Sequence, residues 1–271
     1  MKDKKILLTG GAGSIGSELT RQLCRDNKVY VLDNNESGLF DILQETGCAG
    51  RVGDIRDDRT VRDVFSDIKP QVVINAAAYK HVPLMETVPL EAIQVNVLGT
   101  YNLIYYSGIY EVGKFIQIST DKVVNATSVM GQTKKLAETM AVNAGFTAVR
   151  FGNVLGSRGS VMPLWDKQIE RGGPITVTDE KMMRYFMTIE AAVSLVIEAA
   201  EHGENKVYIL DMGRPKSILE LARLKQDEAK LKGKDVGIEI IGIRPGEVLE
   251  EKLMSEDEEK RAIKKGNFWI L

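Results

Sequence analysis

"LLTGGAGSIGSEL", Leu7 to Leu19, decides the fold. An apolar run stops at glycines, and the next apolar residues, Ile15, Leu19 and Leu23, recur at helical spacing. Gly10, Gly13 and Gly16 therefore stand where a strand turns into a helix, spaced GxxGxxG. Glycine permits the tight turn and lets backbone N–H groups approach a pyrophosphate closely. The helix start adds partial positive charge at the same place. Alone, the triplet is weak evidence; with the strand before it and the helix after it, a dinucleotide site is a stronger reading than a plain turn. Ser14 and Ile15 lie inside the turn and join that candidate set.

The rest of the chain repeats the alternation. "VYVLD" (Val29–Asp33), "QVVINAAA" (Gln71–Ala78), "KFIQIST" (Lys114–Thr120) and "TAVRFGN" (Thr147–Asn153) read as buried strands, with helical patterns such as Val61, Val64, Phe65 and Ile68 between them. Continuous apolar strands alternating with helices mean a parallel sheet covered on both faces. The expected fold class is α/β, a doubly wound, Rossmann-like parallel sheet with a small C-terminal part. The boundaries are 1–153 for the dinucleotide-binding domain and 154–271 for the remainder, with 188–212 returning to the main body. The charged tail "SEDEEKRAIKKGNFWIL" reads as a solvated helix whose last apolar residues, Phe268, Trp269 and Ile270, dock on the body or on another subunit.

Composition narrows the function classes. The 271 residues carry 36 basic and 38 acidic side chains, so no basic excess points to nucleic acid. Cys24 and Cys48 have no metal-ligand spacing and read as reduced thiols. His81 and His202 match no zinc pattern, so no metal is expected. No apolar run reaches the ~20 residues that span a bilayer, and the N-terminus enters a strand at once; the expectation is a cytoplasmic protein without a membrane span.

Asp33 ends the second strand, about 20 residues after the glycines, where a carboxylate accepts hydrogen bonds from an adenosine ribose diol. It would repel a 2′-phosphate, and Asn34, Asn35 and Glu36 follow it in place of an arginine, so NAD is expected rather than NADP. Asp54 and Ile55 follow the third strand and flank adenine in this reading; Asp54 reads equally well as a helix cap. Ala76, Ala77 and Ala78 leave room for the cofactor at the fourth strand end.

Four further stretches carry a resemblance: "NAAAYKHVPLMETVPLEAIQVNVLGT" (Asn75–Thr100), "STDKVVNATSVMGQTKKLAE" (Ser119–Glu138), "RFGNVLGSRGSVMPLW" (Arg150–Trp165), and "RYFMTIEAA" with "LDMGRPKSILELAR" and "IRPGEVLEEKL". With the glycine loop they resemble the UDP-N-acetylglucosamine 4,6-dehydratases of polysaccharide biosynthesis, in the extended short-chain dehydrogenase/reductase superfamily. The resemblance spans nearly the whole chain. Larger members of that family carry an N-terminal membrane region and a further nucleotide-binding domain, so this chain would correspond to the soluble catalytic domain.

That resemblance implies a reaction: hydride leaves C4 of the sugar for NAD+, water is lost across C5 and C6, and hydride returns to C6. It implies Asp121 as the acid for the C6 hydroxyl, Lys122 as the base at C5, and Thr120 as a hydrogen-bonding partner of the C4 hydroxyl. Asn96 matches a helix asparagine near the cofactor, and Lys134 the lysine that binds the nicotinamide ribose. The position four before Lys134 usually holds a tyrosine. Here it is Met130, which has no proton to exchange, so the C4 proton must pass to Lys122, Asp121, or Thr120 and water. Lys80, His81, Asn153, Ser160, Arg184, Arg244 and Glu247 form the implied nucleotide-sugar site. In it the arginines suit a diphosphate, and Glu247 suits a uridine ribose. His81 and Arg184 read equally as structural polar residues. A homo-oligomer through helices at about 91–108 and 129–143 is the superfamily's habit. Competing readings are a C5-inverting dehydratase, a 4-epimerase, and a catalytically silent NAD-binding sensor or scaffold, the last favoured only by Met130.

Overall fold

The computed structural model describes residues 1–271. The first half runs β1 (Lys5–Thr9), α1 (Ser14–Leu23), β2 (Lys28–Asp33), α2 (Glu36–Thr46), β3 (Ala49–Val52), α3 (Asp58–Ile68), β4 (Val72–Asn75), α4 (Val82–Thr87) and α5 (Pro89–Ala92). A wider π-helical stretch, Ile93–Gly99, joins α5 to α6 (Thr100–Ile109), and then come β5 (Lys114–Ile118), α7 (Val129–Asn143) and β6 (Thr147–Arg150). The second half contains β7 (Asn153–Val154), α8 (Val161–Glu170), β8 (Ile175–Val177), β9 (Met183–Arg184), β10 (Phe186–Met187), α9 (Ile189–His202) and β11 (Val207–Leu210). It ends with β12 (Lys216–Ser217), α10 (Ile218–Leu231), β13 (Ile238–Ile240), α11 (Glu256–Arg261), β14 (Ile263–Lys265) and β15 (Phe268–Ile270).

Nine strands form one sheet in the order β14-β15-β11-β6-β5-β4-β1-β2-β3. From β3 to β11 every pairing is parallel. The central strands are apolar on both faces because helices cover both: Leu8 and Ile74 pack on one side with α1 and α9, and Leu7 and Val73 on the other with α3 and α6. β1 connects to β2 on one side and β4 lies on the other, so the strand order reverses between β1 and β4. Open α/β sheets bind ligands at such a crevice.

The tail departs from a solvated helix. β15 pairs antiparallel with β11 and with β14, so residues 263–270 join the sheet; of 188–212, the segment expected to return to the main body, β11 is a sheet strand and α9 packs against the sheet. The helical part is short, and its Glu258 is buried. Arg150, fully buried at the end of β6, donates to Glu258 at 2.8 and 3.0 Å and to Glu138 at 2.7 and 3.1 Å. Charge periodicity marks a solvated face only while no opposite charge waits in the core. A smaller separate core, centred on Trp165, Ile175, Val177 and Ile218, holds α8, α10 and the β8–β13 pair together. No helix is long and apolar enough to cross a membrane.

Candidate active site

The glycine loop lies at the switch point. Gly10 has φ +71°, and a Cβ there would strike the Ala76–Ala77 backbone; a Cβ on Gly16 would strike the Gly10 carbonyl. The loop therefore packs bare backbone against the β4 end and against the start of α1, which explains two of the three glycines. Ser14, Ile15 and Gly16, the first residues of α1, have amides without an acceptor in the chain. Gly10, Gly13, Asp33, Asn34, Asp54, Ile55, Ala76, Ala77 and Ala78 line one crevice, joined by Tyr79, Val95 and Arg158.

Asp33 accepts the Ala12 amide at 2.8 Å and the Asn35 amide at 2.9 Å. One lone pair on each carboxylate oxygen stays available for a diol. Asp54 is not a helix cap; Asp57 caps α3 by accepting the Arg59 amide. Burial disfavours the Asp54 anion, but hydrogen bonds from Arg56 outweigh it and hold the carboxyl below its ordinary value. Asn96 lies one shell back from the crevice. Its carbonyl accepts the Tyr79 amide, and its NH2 donates to the Tyr79 carbonyl and to Thr133. The side chain is spent on fixing the loop after β4, so direct contact with a ligand is not its part here.

Past β5, Thr120 caps a short 3-10 turn, Asp121–Val123. Asp121 is 0 % exposed. Its Oδ1 accepts Lys122 Nζ and Thr120 Oγ1, each at 2.9 Å, while its Oδ2 is buried without a partner. Lys122 also donates to Asn153 Oδ1 at 3.2 Å and lies 3.7 Å from Glu251. Burial alone would lower the Lys122 pKa, but the Asp121 and Glu251 charges outweigh it and raise it. Lys122 therefore rests as an ammonium, not as a ready base. Burial, seconded by the Asp121 charge, pushes the Glu251 carboxyl up despite Lys122. The motif reading passed over Glu251 because in "VLEEKL" it is one acid in a charged run.

Two more expected site residues, besides Asn96, are corrected. Met130 is 2 % exposed and packs with Val82, Met85 and Ala92 between α4, α5 and α7, so it is a packing residue. Arg184 does not offer its fork to a ligand. It donates to the carbonyls of Met183, Val248 and Leu249, which tethers the loop that carries Glu251. The reason is the same in both cases: a position in the motif does not say which way the side chain turns.

Lys134 is buried on α7 and donates to the Ile118 carbonyl at 2.5 Å. Burial lowers its pKa to about 8, partly opposed by Glu138. Lys80 donates to the Arg158 carbonyl. Burial first, then the Arg158 and Lys122 charges, lower the Lys80 pKa; burial, Lys80 and Arg244 lower that of His81. Lys80, His81, Arg158 and Arg244 thus stand near one another, and Arg158 among them lines the crevice. Arg244 and Glu247 pair with each other at 2.5 and 3.1 Å at the exposed rim. Ser160 begins α8 with its Oγ buried and unpaired.

A sequence profile of a family described as polysaccharide biosynthesis protein matches residues 6–271. The capsular polysaccharide biosynthesis protein CapD of Staphylococcus aureus is 45% identical over 278 residues, covering 95% of this chain. The chain spans only 46% of that relative's length. A UDP-glucose 4-epimerase of Rickettsia bellii is 32% identical, covering 98% of this chain and 82% of the relative. The crystal structure of Pen from Bacillus thuringiensis superposes with a TM-score of 0.94 at 35% identity, covering 99% of this chain and 88% of Pen. The Thermus thermophilus UDP-glucose 4-epimerase, solved with NAD, shares the fold at 24% identity, with a TM-score of 0.81 and coverage of 93% and 91%.

Proposed function

This chain belongs to the polysaccharide biosynthesis protein family, and from that premise we propose that it is an NAD-dependent 4,6-dehydratase acting on UDP-N-acetylglucosamine. The carrying observation is the pair of buried Asp121 and half-buried Lys122 past the end of β5, with one carboxylate oxygen unpaired.

The crevice residues suit a dinucleotide. The glycine turn has no room for Cβ atoms, three amides of α1 are free, and Asp33 keeps acceptor capacity for a ribose diol. Lys134, one turn before Glu138 on α7, is the candidate for the nicotinamide ribose. Bound NAD+ would supply a hydride acceptor and, later in the cycle, a donor.

The chain's own residues would then manage the protons. At rest the proton of the Lys122–Asp121 ion pair is held by Lys122. Transfer across their 2.9 Å contact converts the ion pair into a carboxylic acid and a free amine. That neutral pair has the acid and the base that loss of water from C6 and C5 requires; Lys122 later returns its proton to C5, and the C4 hydroxyl proton, passed through Thr120, replaces the proton that left with the water. Burial works in that direction, because a neutral pair is easier to desolvate than two ions, against the Asp121 and Glu251 charges that hold the proton on Lys122 at rest. Thr120, hydrogen-bonded to the same carboxylate oxygen, orients it. Lys80 and Arg244 would meet the substrate's diphosphate, Glu247 its ribose, and Asn153 and Ser160 its sugar side. The placement is in the cytoplasm, where nucleotide sugars are made.

A 4-epimerase is the second reading, favoured by the Rickettsia relative's name. It requires redox at C4 alone and leaves the buried acid–base pair without a task. Incubation with UDP-N-acetylglucosamine and NAD+, followed by proton NMR, separates the two. A 4-keto-6-deoxy product supports dehydration, and its coupling constants report whether C5 inverts. UDP-N-acetylgalactosamine as the product rejects dehydration in favour of epimerisation.

A further inference from the structure

The segment "LGSRGS", residues 155–160, leaves β7 and comes to lie over the glycine loop. Two hydrogen bonds hold it there. The Arg158 amide donates to Ser14 Oγ at 2.9 Å, and Lys80 Nζ donates to the Arg158 carbonyl at 2.7 Å. The Ser160 amide closes the turn on the Ser157 carbonyl at 3.0 Å. Gly159, at φ +70°, lies so close to the His81 ring that a Cβ would collide with it. One residue is thus fastened at its N–H and its C=O to the two loops, after β1 and after β4, that border the crevice.

The Arg158 side chain is exposed, forms no hydrogen bond or ion pair within the chain, and lines the crevice with Gly10, Ala12 and Gly13. Lys80 lies close enough to feel its charge, and the Asp33 and Asp54 carboxylates line the same crevice. An unpaired guanidinium beside the free amides of a helix start is an arrangement that an anion would relieve.

We propose that Arg158 clamps the cofactor's pyrophosphate, and that the Ser14–Arg158–Lys80 strap holds the cofactor in the crevice. The inference rests on the dinucleotide part of the reading above and adds to it a binding residue from outside the glycine motif. A guanidinium presents a planar fork to phosphate oxygens and keeps its charge at all working pH values. Because the backbone of Arg158 is already tied at both ends, clamping orders only a side chain. Two diphosphates meet in this site, the dinucleotide's and the nucleotide sugar's. The position of Arg158 beside Gly10, Ala12 and Gly13 selects the first.

The test is calorimetric titration of the full chain, as wild type, Arg158→Ala and Arg158→Lys, with NAD+, ADP-ribose, adenosine and UDP. Loss of a charge-assisted contact is expected to weaken NAD+ and ADP-ribose about tenfold or more in Arg158→Ala. Arg158→Lys recovers part of that loss, and adenosine, which lacks the pyrophosphate, binds both proteins equally. Unchanged NAD+ affinity overturns the clamp. So does an equal loss for adenosine, which would mean a loosened crevice, and so does a loss confined to UDP, which would assign Arg158 to the sugar nucleotide. Wild-type protein that takes up no NAD+ sinks the dinucleotide reading itself and the clamp with it. That result is distinct from a wild type and a variant that bind alike.

Discussion

Arg150 is the residue whose removal should be felt most widely. Its guanidinium is fully buried and makes five hydrogen bonds: two to Glu138, two to Glu258 and one to the Leu253 carbonyl at 2.9 Å. Arg150→Met keeps the chain's bulk and removes the charge, leaving two buried carboxylates. Breaking a buried pair from one side costs roughly 3–5 kcal/mol. A second route to the magnitude agrees. Burial opposes the Glu258 anion, yet Arg150 holds its carboxyl at about 2, against an ordinary 4.5. At 1.36 kcal/mol per unit that is about 3 kcal/mol. Lys135 remains 2.9 Å from Glu138 and 3.6 Å from Glu258, so the low end is expected. For a chain of this size the melting midpoint should fall by about 10 °C at pH 7, read by circular dichroism. The sign with pH follows from both carboxyls being depressed in the folded state. Their contribution is fully present above about pH 4.5 and is lost as pH falls toward 2, so the gap between wild type and variant should close across that window. A loss below about 1 kcal/mol, or a gap that stays constant on acidification, refutes the account.

Four other outcomes are expected. Lys122→Ala should lower turnover by about 10²-fold or more while NAD+ affinity persists; unchanged turnover removes Lys122 from the chemistry. Met130→Tyr should not raise activity and should destabilise by about 1–3 kcal/mol, because the ring has to enter a filled apolar cluster; a large gain in activity would make Met130 a lesion. Lys134→Met should raise the melting midpoint at pH 7, where the wild type holds a buried ammonium. The wild type's folded pKa near 8 lies below the unfolded value of 10.5, so its stability rises with pH between them and the variant's advantage shrinks there; an advantage independent of pH contradicts the burial cost. Leu98 in the π-helical stretch, Tyr101, Tyr105 and Ile109 on α6, and Leu136 on α7 are exposed. If the homo-oligomer implied by the resemblance forms through this face, Leu98→Asp with Tyr105→Asp should lower the mass read by light scattering below that of the wild type, and an unchanged mass rejects this face as the subunit contact.

Local chemistry made much of this protein legible in the chain. Strand and helix periodicity is written residue by residue, so the alternation, the parallel sheet and the glycine turn could be read directly. Asp33 and the Asp121–Lys122 pair could be found because a strand end is a fixed address in a doubly wound fold. Tertiary structure decided what each side chain faces. Met130 turns into an apolar cluster, Arg184 spends its donors on carbonyls of a loop some 65 residues away in sequence, and Asn96 holds a loop. Glu251, Arg158 and Glu258 gained their importance only when distant segments brought them to Lys122, to the glycine loop and to Arg150. Burial and pairing set the protonation of such groups, and both depend on contacts that no spacing along the chain records.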